Sequence, residues 1–165
     1  MRIGIGYDIH RLIENRDLII GGVLIPYHKG LLGHSDADVL CHAIMDALLG
    51  AANLGDIGKH FPDWDDRFKS ASSIELMEYV TQLIEDSGYQ IINIDTTIMA
   101  EEPKMASFID EMKENVSKVL GIEESQVSIK ATTTEKLGAV GAGAAIATQA
   151  VVLIDRNNTQ KEGLK

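Results

Sequence analysis

The apolar positions along the chain follow two repeats, one typical of strands and one typical of helices. Apolar residues that alternate with glycines predict a first strand over Arg2 to His10. Continuous apolar or β-branched runs predict the other strands, over Leu18 to Ile25 with a bend at Gly21–Gly22, Gln90 to Met99, Gln126 to Thr133 and Ala144 to Asp155.

Apolar residues at helical spacing predict three helices, over Asp36 to Ala52, Ser72 to Ser87 and Pro103 to about Leu120. Ser35 or Asp36 is placed to cap the first helix, and Ser72 with Glu75 has the capping-box spacing. The segment from Gly55 to Lys69 contains Gly, Pro and four Asp residues and is predicted to be a loop.

The order of these elements predicts a layered α/β sandwich, with a mixed sheet and helices packed on one face. A length of 165 residues suits one domain, which we expect over residues 1–157, followed by a polar, frayed tail over 158–165. The apolar run from Ala139 to Ile146 carries no polar side chain, which favours a buried position such as a subunit interface.

Composition limits the ligands, the disulfide bonds and the cellular location that the protein can have. A net charge of −10 argues against a nucleic-acid or anionic membrane surface, although local basic groups and metal ions still permit an anionic substrate in one cleft. The single cysteine, Cys41, forms no intrachain disulfide. No apolar run approaches ~18 residues and no signal peptide is visible, so a cytoplasmic location is expected.

Three residues form a candidate metal site. Asp8 and His10 are two positions apart on a strand and therefore point to the same side. His42 lies between Asp38 and Asp46 on a polar stripe of the first helix. One carboxylate and two imidazoles suit zinc and leave a fourth position open, as in catalytic sites. Two unrelated polar histidines remain the alternative on these residues alone.

Two further segments could contact phosphate. His34-Ser35-Asp36 precedes a helix whose first N–H groups attract anions, although an ordinary helix cap explains it equally. The threonines between Lys130 and Gly138 offer hydroxyl donors, and Glu135 could hold a divalent ion such as magnesium. Strand propensity and a surface charge are the alternative for that segment. Asp56 and Gly58 suggest a ribose contact or simply a solvated acidic loop.

Taken together and in order, these segments resemble the 2-C-methyl-D-erythritol 2,4-cyclodiphosphate synthase family of the methylerythritol phosphate route to isoprenoids. The matching stretches extend from the first strand to near the last, and a chain of motifs is far more specific than any single member. They are Gly6 to His10, His34 to Asp38, Leu49 to Gly58, Phe61 to Asp63, Pro103 to Met105 and Lys130 to Gly138.

The resemblance implies the reaction. The substrate would be 4-diphosphocytidyl-2-C-methyl-D-erythritol 2-phosphate, whose 2-phosphate attacks the β-phosphorus of its own diphosphate. CMP leaves and the cyclic diphosphate remains, so no protein nucleophile is needed. The residues agree, because Cys41 has no recognisable activating group and no Ser-His-Asp arrangement is visible.

The resemblance also implies roles for individual residues. Zinc would bind Asp8, His10 and His42, and magnesium or manganese near Glu135 would bridge the diphosphate. His34 and Thr133 would stabilise the transition state, while Asp38 and Asp46 would orient the helix and its histidine. The implied substrate-binding residues are Ser35 for the methylerythritol phosphate; Asp56, Ile57 and Gly58 near the ribose; Phe61, Pro62, Asp63, Trp64 and Asp65 near the diol; Ala100, Glu101, Glu102, Pro103, Lys104, Met105 and Ala106 at the cytosine; and Ala131, Thr132, Thr133 and Thr134.

Members of the family are homotrimers with sites shared between subunits, so the resemblance implies a homotrimer here. The chain departs from the family at Ala139 and Ala142, where many relatives have an aromatic residue and an arginine lining a central cavity. Alanine supplies neither stacking nor charge, so weak or absent binding of isoprenoid diphosphates is expected on the three-fold axis.

Two other functions remain open on the sequence. One is a phosphohydrolase that uses the same metal scaffold and releases inorganic phosphate. The other is a non-catalytic trimeric module that binds cytidine nucleotides without turnover, because a shared fold does not by itself determine function.

Overall fold

The computed structural model describes residues 1–62 and 64–157. The described strands are β1 (Arg2–Glu14), β2 (Leu18–Ile20), β3 (Val23–Ile25), β4 (Lys29–Leu31), β5 (Tyr89–Met99), β6 (Val127–Thr132) and β7 (Ala145–Arg156). The helices are α1 (Val39–Ala52), α2 (Ile57–His60), α3 (Ser73–Asp86), α4 (Ile109–Leu120) and α5 (Gly138–Gly141), with single 3-10 turns at Asp66–Phe68 and Glu124–Gln126. The expected tail at 158–165 lies outside the described residues.

Five strands form one sheet in the order β4-β1-β7-β5-β6, and β2 pairs with β3 in a separate hairpin. The β5–β6 pair is parallel, whereas the other neighbours in the five-stranded sheet are antiparallel. Helices α1, α3 and α4 pack together and lie against this sheet. The predicted α/β architecture with a mixed sheet and helices on one face is confirmed.

Helix α1 lies unusually close to β1, because glycine faces it at two positions. A Cβ atom on Gly4 would lie 1.9 Å from the carbonyl oxygen of Ala47, and one on Gly6 would lie 2.0 Å from that of Ala43. No side chain fits in those gaps, so the alternating glycines of the first strand fix the distance between helix and sheet.

Several predicted boundaries were wrong. Helix α1 begins at Val39, because the Asp38 carboxylate caps it by accepting hydrogen bonds from the N–H groups of Leu40 and Cys41. Ala37, with a φ of 60°, has a left-handed backbone and cannot continue a helix toward Asp36. Pro103 likewise opens no helix: α4 begins only at Ile109, and the preceding residues form a loop.

Other local expectations also need correction. Leu18 to Ile25 is a hairpin of two strands, because Gly21 and Gly22 both have positive φ and form its two-residue turn. The predicted loop contains helix α2, which is capped by the Asp56 carboxylate. Strand β1 runs on to Glu14, and its end pairs with β4, a strand that the sequence pattern did not predict.

The side of the sheet opposite the helices is apolar and exposed along β1. Ile3 is 73% exposed and Ile5 is 65% exposed, and Tyr7 and Ile9 follow on the same side of the strand. Val151 of the neighbouring strand β7 is also exposed there. An exposed apolar sheet face of this kind is typical of an interaction surface.

The Gly-rich segment near α5 only partly follows the expectation of burial. Val140, Ala145 and Ile146 are buried, whereas Ala139 and Ala142 are exposed in the single chain. Among the described residues, no helix combines the length and apolar character that crossing a membrane requires.

Replacing Gly6 with alanine should destabilise the fold by about 3 kcal/mol, because the new methyl group would overlap the backbone of α1. The matched control is Gly50→Ala in α1, where no atom lies within 4 Å of the added Cβ. That control should be neutral or stabilising by up to about 1 kcal/mol. Denaturant unfolding at one fixed protein concentration measures both, and equal effects would contradict the close contact.

Candidate functional site

Asp8, His10 and His42 converge although two of them lie more than thirty positions from the third in sequence. Asp8 Oδ2 lies 2.9 Å from His10 Nε2 and 3.0 Å from His42 Nδ1. The two ring nitrogens are 3.1 Å apart, so the three atoms form a nearly equilateral triangle. Within the described residues, this is the cluster whose donor atoms are close enough together to share one metal ion.

Each element contributes its ligand for a simple reason. Asp8 and His10 project from the same side of β1, toward the helices. Helix α1 crosses that strand at the glycine contacts, which brings His42 onto the same spot. His10 Nδ1 lies 2.8 Å from the carbonyl oxygen of Leu32, which can only accept. His10 Nδ1 therefore carries a proton, and Nε2 is the ring nitrogen that faces Asp8 and His42.

The charges in the cluster are coupled. Burial by itself would raise the pKa of Asp8, but hydrogen bonds to His10 and His42 outweigh it and hold that pKa well below its usual range. Burial would lower the pKa of His10, but the hydrogen bond and charge of Asp8 outweigh it and raise that pKa above its ordinary value. The carboxylate thus stays ionised, and positive charge is favoured at this point.

The geometry fits a divalent ion. A tetrahedral zinc site with bonds of 2.0–2.1 Å separates its ligand atoms by about 3.3 Å, close to the triangle formed by Asp8, His10 and His42. One carboxylate oxygen and two imidazole nitrogens are also the donor types that zinc prefers. Asp8, His10 and His42 would hold such an ion with three protein ligands and would leave a fourth position for another ligand.

The cluster opens into a cavity of about 290 Å³. The cavity brings together most of the residues predicted around the metal, together with apolar residues that the sequence analysis did not single out. Its lining comprises Asp8, His10, Gly33, His34, Ser35, His42, Met45, Ile57, Gly58, Phe61, Phe68 and Leu76. His34 Nε2 donates to the backbone oxygen of Asp65 at 3.3 Å, which ties the cavity wall to the following loop.

Eight of the remaining predicted substrate residues line a second, smaller cavity of about 200 Å³. Its lining is Ala100, Pro103, Lys104, Met105, Ala106, Ala131, Thr132 and Thr133. The loop after β5 and the end of β6 supply these residues. The two cavities share no lining residue.

The sheet register gives the distance between the two cavities within one chain. Asp8 pairs with Thr148, Thr148 with Ile98, and Ile98 with Ala131, so all four residues lie in one row across the sheet. Three strand spacings separate Asp8 from Ala131, which amounts to about 14 Å. The metal cluster and the second cavity of one chain are therefore distinct places.

Glu101 shapes the loop beside the second cavity. Its carboxylate accepts hydrogen bonds from the N–H groups of Lys136 and Thr134 and from the Thr134 hydroxyl, which lowers the pKa of Glu101. Glu135 lies in this loop, is exposed, and accepts from the Thr133 hydroxyl at 3.0 Å. Lys104 lies 3.9 Å from Glu102 at the cavity rim. Glu135 does not line the second cavity but is connected to it through Thr133 of the same chain.

The residues predicted to contact the ribose and the diol lie between Gly55 and Lys69, and only some of them line the first cavity. Asp56 caps α2 through the N–H of Lys59 and does not line the cavity, although Ile57 and Gly58 do. Pro62 is partly buried, and the Asp65 carboxylate binds Arg67. Trp64 is 83% exposed. Asp63 lies outside the described residues.

The two aspartates that flank His42 on α1 both hold backbone in place. Asp38 is fully buried, caps α1, and accepts from Gly22 N–H at 2.8 Å, while its burial raises its pKa. Asp46 accepts from Ile57 N–H at 2.8 Å and so ties α1 to the cavity wall.

Cys41 is fully buried, which raises the pKa of its thiol well above the usual value.

One set of contacts was not predicted. His42 Nε2, the nitrogen facing away from Asp8, lies 3.2 Å from Ser35 Oγ and 3.0 Å from Ser73 Oγ. Ser73 opens α3, where the sequence indicates only a helix start. No local pattern signals a contact with a side chain 31 positions away.

Comparisons with known proteins identify relatives of the chain. The chain is 61% identical to a 2-C-methyl-D-erythritol 2,4-cyclodiphosphate synthase of Clostridium perfringens, over 93% of this chain and 99% of that protein. It is 58% identical to the Geobacillus kaustophilus protein of the same name, over 94% and 99%. A Plasmodium falciparum IspF structure with CDP superposes with a TM-score of 0.84 at 39% identity, over 95% and 97% of the two chains. The YgbB family matches residues 1–155, and the chain belongs to that family.

Proposed function

We propose that the protein converts 4-diphosphocytidyl-2-C-methyl-D-erythritol 2-phosphate to 2-C-methyl-D-erythritol 2,4-cyclodiphosphate and CMP. The observation that carries this proposal is the convergence of Asp8, His10 and His42 beside a cavity that also contains His34 and Ser35. The names of the relatives and the CDP complex of the Plasmodium falciparum protein support the same reaction. The enzyme would be a cyclising phosphorus–oxygen lyase.

Binding both ends of one molecule is the main task of such a site. The attacking phosphate and the β-phosphate repel each other, and holding them in line makes the step intramolecular. Zinc on Asp8, His10 and His42, with magnesium or manganese near Glu135, would supply positive charge to the diphosphate when bound. We infer that Ser35 and His34 donate hydrogen bonds to phosphate oxygens on the wall of the first cavity.

The second cavity suits the nucleotide end of the substrate. Three alanines line it, Ala100, Ala106 and Ala131, and their small side chains leave room for a flat base. Thr132 and Thr133 stand at its edge with hydroxyl groups for phosphate oxygens. We therefore assign cytosine to residues 100–106, and the diphosphate to Thr133 with Glu135. Three other assignments stay predictions. They place the ribose at Asp56 and Gly58, place the diol at residues 61–65, and give Asp38 and Asp46 the role of orienting the helix and its histidine.

A homotrimer reconciles the two cavities. They lie about 14 Å apart in one chain, so the substrate must either span that distance or use cavities from two subunits. The exposed Ile3, Ile5, Tyr7 and Ile9 give β1 an apolar surface suited to a subunit interface. We infer that the metal cavity of one subunit and the nucleotide cavity of its neighbour complete each site.

The resemblance places Ala139 and Ala142 near the three-fold axis of that trimer. Both are exposed in the single chain and offer methyl groups only. An anion needs hydrogen-bond donors or positive charge, which methyl groups lack. Weak or absent binding of isoprenoid diphosphates at this segment stays a prediction from the sequence. The cytoplasmic location of the enzyme also stays a prediction.

Phosphorus NMR of the reaction mixture tests the proposed activity. With zinc and magnesium present, the cytidyl substrate should yield equimolar CMP and cyclic diphosphate, and a chelator should abolish both products. Release of inorganic phosphate instead would indicate a phosphohydrolase. Binding of the substrate without turnover would indicate a nucleotide-binding module, and either result would contradict the proposal.

Replacing His42 with alanine should remove stable zinc binding and lower kcat/KM by at least about 1000-fold, because two ligands hold the ion poorly and the fourth position loses its geometry. The control is His28→Ala, because the His28 ring packs edge-to-face against Tyr27 and is not part of the cluster. Zinc content after gel filtration and steady-state rates measure both variants. Equal zinc content in the two would contradict the site.

Mixed trimers test whether sites are shared. His42→Ala disables the metal cavity, and Ala106→Trp fills the nucleotide cavity, so each variant alone should be nearly inactive. Co-expression should restore about one quarter of wild-type activity. In randomly assembled trimers, about one site in four combines an intact metal cavity from one subunit with an intact nucleotide cavity from its neighbour. No recovery in trimers shown to be mixed would place both halves of the site in one chain.

A further inference from the structure

His42 has a second set of contacts on the side away from Asp8. Its Nε2 lies 3.0 Å from Ser73 Oγ, and Ser73 Oγ lies 2.5 Å from Asp36 Oδ1. The other oxygen of Asp36 accepts from the backbone N–H of Ser73 at 2.9 Å. Ser73 is fully buried, so water does not compete for its hydroxyl.

The proton positions in this chain of contacts follow from the chemistry of its members. A carboxylate only accepts, so the single proton of the Ser73 hydroxyl must point to Asp36. The Ser73 oxygen then faces His42 with a lone pair, and Nε2 of His42 must be the donor. A neutral imidazole with its proton on Nε2 has its lone pair on Nδ1, the atom that lies 3.0 Å from Asp8 Oδ2.

We propose that Ser73 and Asp36 are positioning residues that fix the tautomer of His42 with Nδ1 free for the metal. This inference rests on the proposed metal site and adds two residues to it. It mirrors the arrangement at His10, where the carbonyl of Leu32 holds the proton on Nδ1 and leaves Nε2 free. Hydrogen bonds of this kind orient a ligating imidazole and increase its basicity.

Ser35 also approaches Nε2, but its contacts suit a different role. Its Oγ lies 3.2 Å from Nε2 and accepts from the N–H of Ala37 at 3.1 Å. The single proton of Nε2 is directed to Ser73, and the Ser35 oxygen already accepts from the Ala37 N–H, so His42 does not depend on Ser35 for its tautomer. The hydroxyl proton of Ser35 remains available to a group in the cavity that Ser35 lines. Ser73 therefore orients the histidine, while Ser35 is left to contact an anion.

The test uses Ser73→Ala, with Ser72→Ala as its matched control at the start of the same helix. The Ser72 side chain makes no capping hydrogen bond, and in Ser73→Ala the backbone N–H can still donate to Asp36. Zinc affinity, measured by competition with a chromogenic chelator, should fall about 10- to 100-fold in Ser73→Ala and by less than about twofold in Ser72→Ala. Thermal melting of the zinc-free proteins reports whether both variants fold.

Long-range proton–nitrogen NMR of the zinc-free wild-type protein at about pH 8, above the ordinary histidine pKa, reads the tautomer without any metal. The expected result is a proton on Nε2 of His42. A proton on Nδ1 with none on Nε2 would overturn the inference, as would an unchanged zinc affinity in a folded Ser73→Ala variant. If the wild-type protein bound no zinc, the metal site itself would fail, and the NMR result would still decide the role of Ser73.

Discussion

The close packing of α1 on β1 is the constraint on which the rest of the site depends. Gly4 and Gly6 let the backbone of Ala47 and Ala43 approach to distances that no side chain permits. The strand advances about 6.6 Å between the two glycines and the helix about 6 Å between the two alanines, so the contacts stay in step. His42 then reaches Asp8, which is the next residue on that side of the strand.

The same packing gathers several histidines around one carboxylate in a chain that is acidic overall. The chain carries a net charge of −10, yet His10, His34 and His42 gather in one cavity and leave Asp8 as the carboxylate within the cluster. The buried Asp38 is directed away from the cavity, toward the N-terminus of α1 and the Gly21–Gly22 turn. Overall charge therefore says little about the ligand, because the arrangement of a few side chains determines the local field.

The sequence was informative wherever the signal was local. The period-two pattern of β1 put Asp8 and His10 on one side, and the helical repeat placed His42 on the polar stripe of α1. Apart from the metal site, contacts between segments that are distant in sequence could not be predicted from these patterns. Nothing near Ser73 indicates its approach to His42. The apolar pattern after Pro103 predicts a helix, whereas the structure has a loop there whose residues line a cavity. The separation of the two cavities follows only from strand order, which the pattern along the chain does not specify.

X-ray absorption at the zinc edge of the loaded protein tests the central claim most directly, because it counts and identifies the atoms bound to the ion. The account predicts two imidazole nitrogens and oxygen donors near 2.0 Å, with no sulfur. A sulfur ligand near 2.3 Å, or a shell without imidazole, would mean that Asp8, His10 and His42 do not hold the ion together.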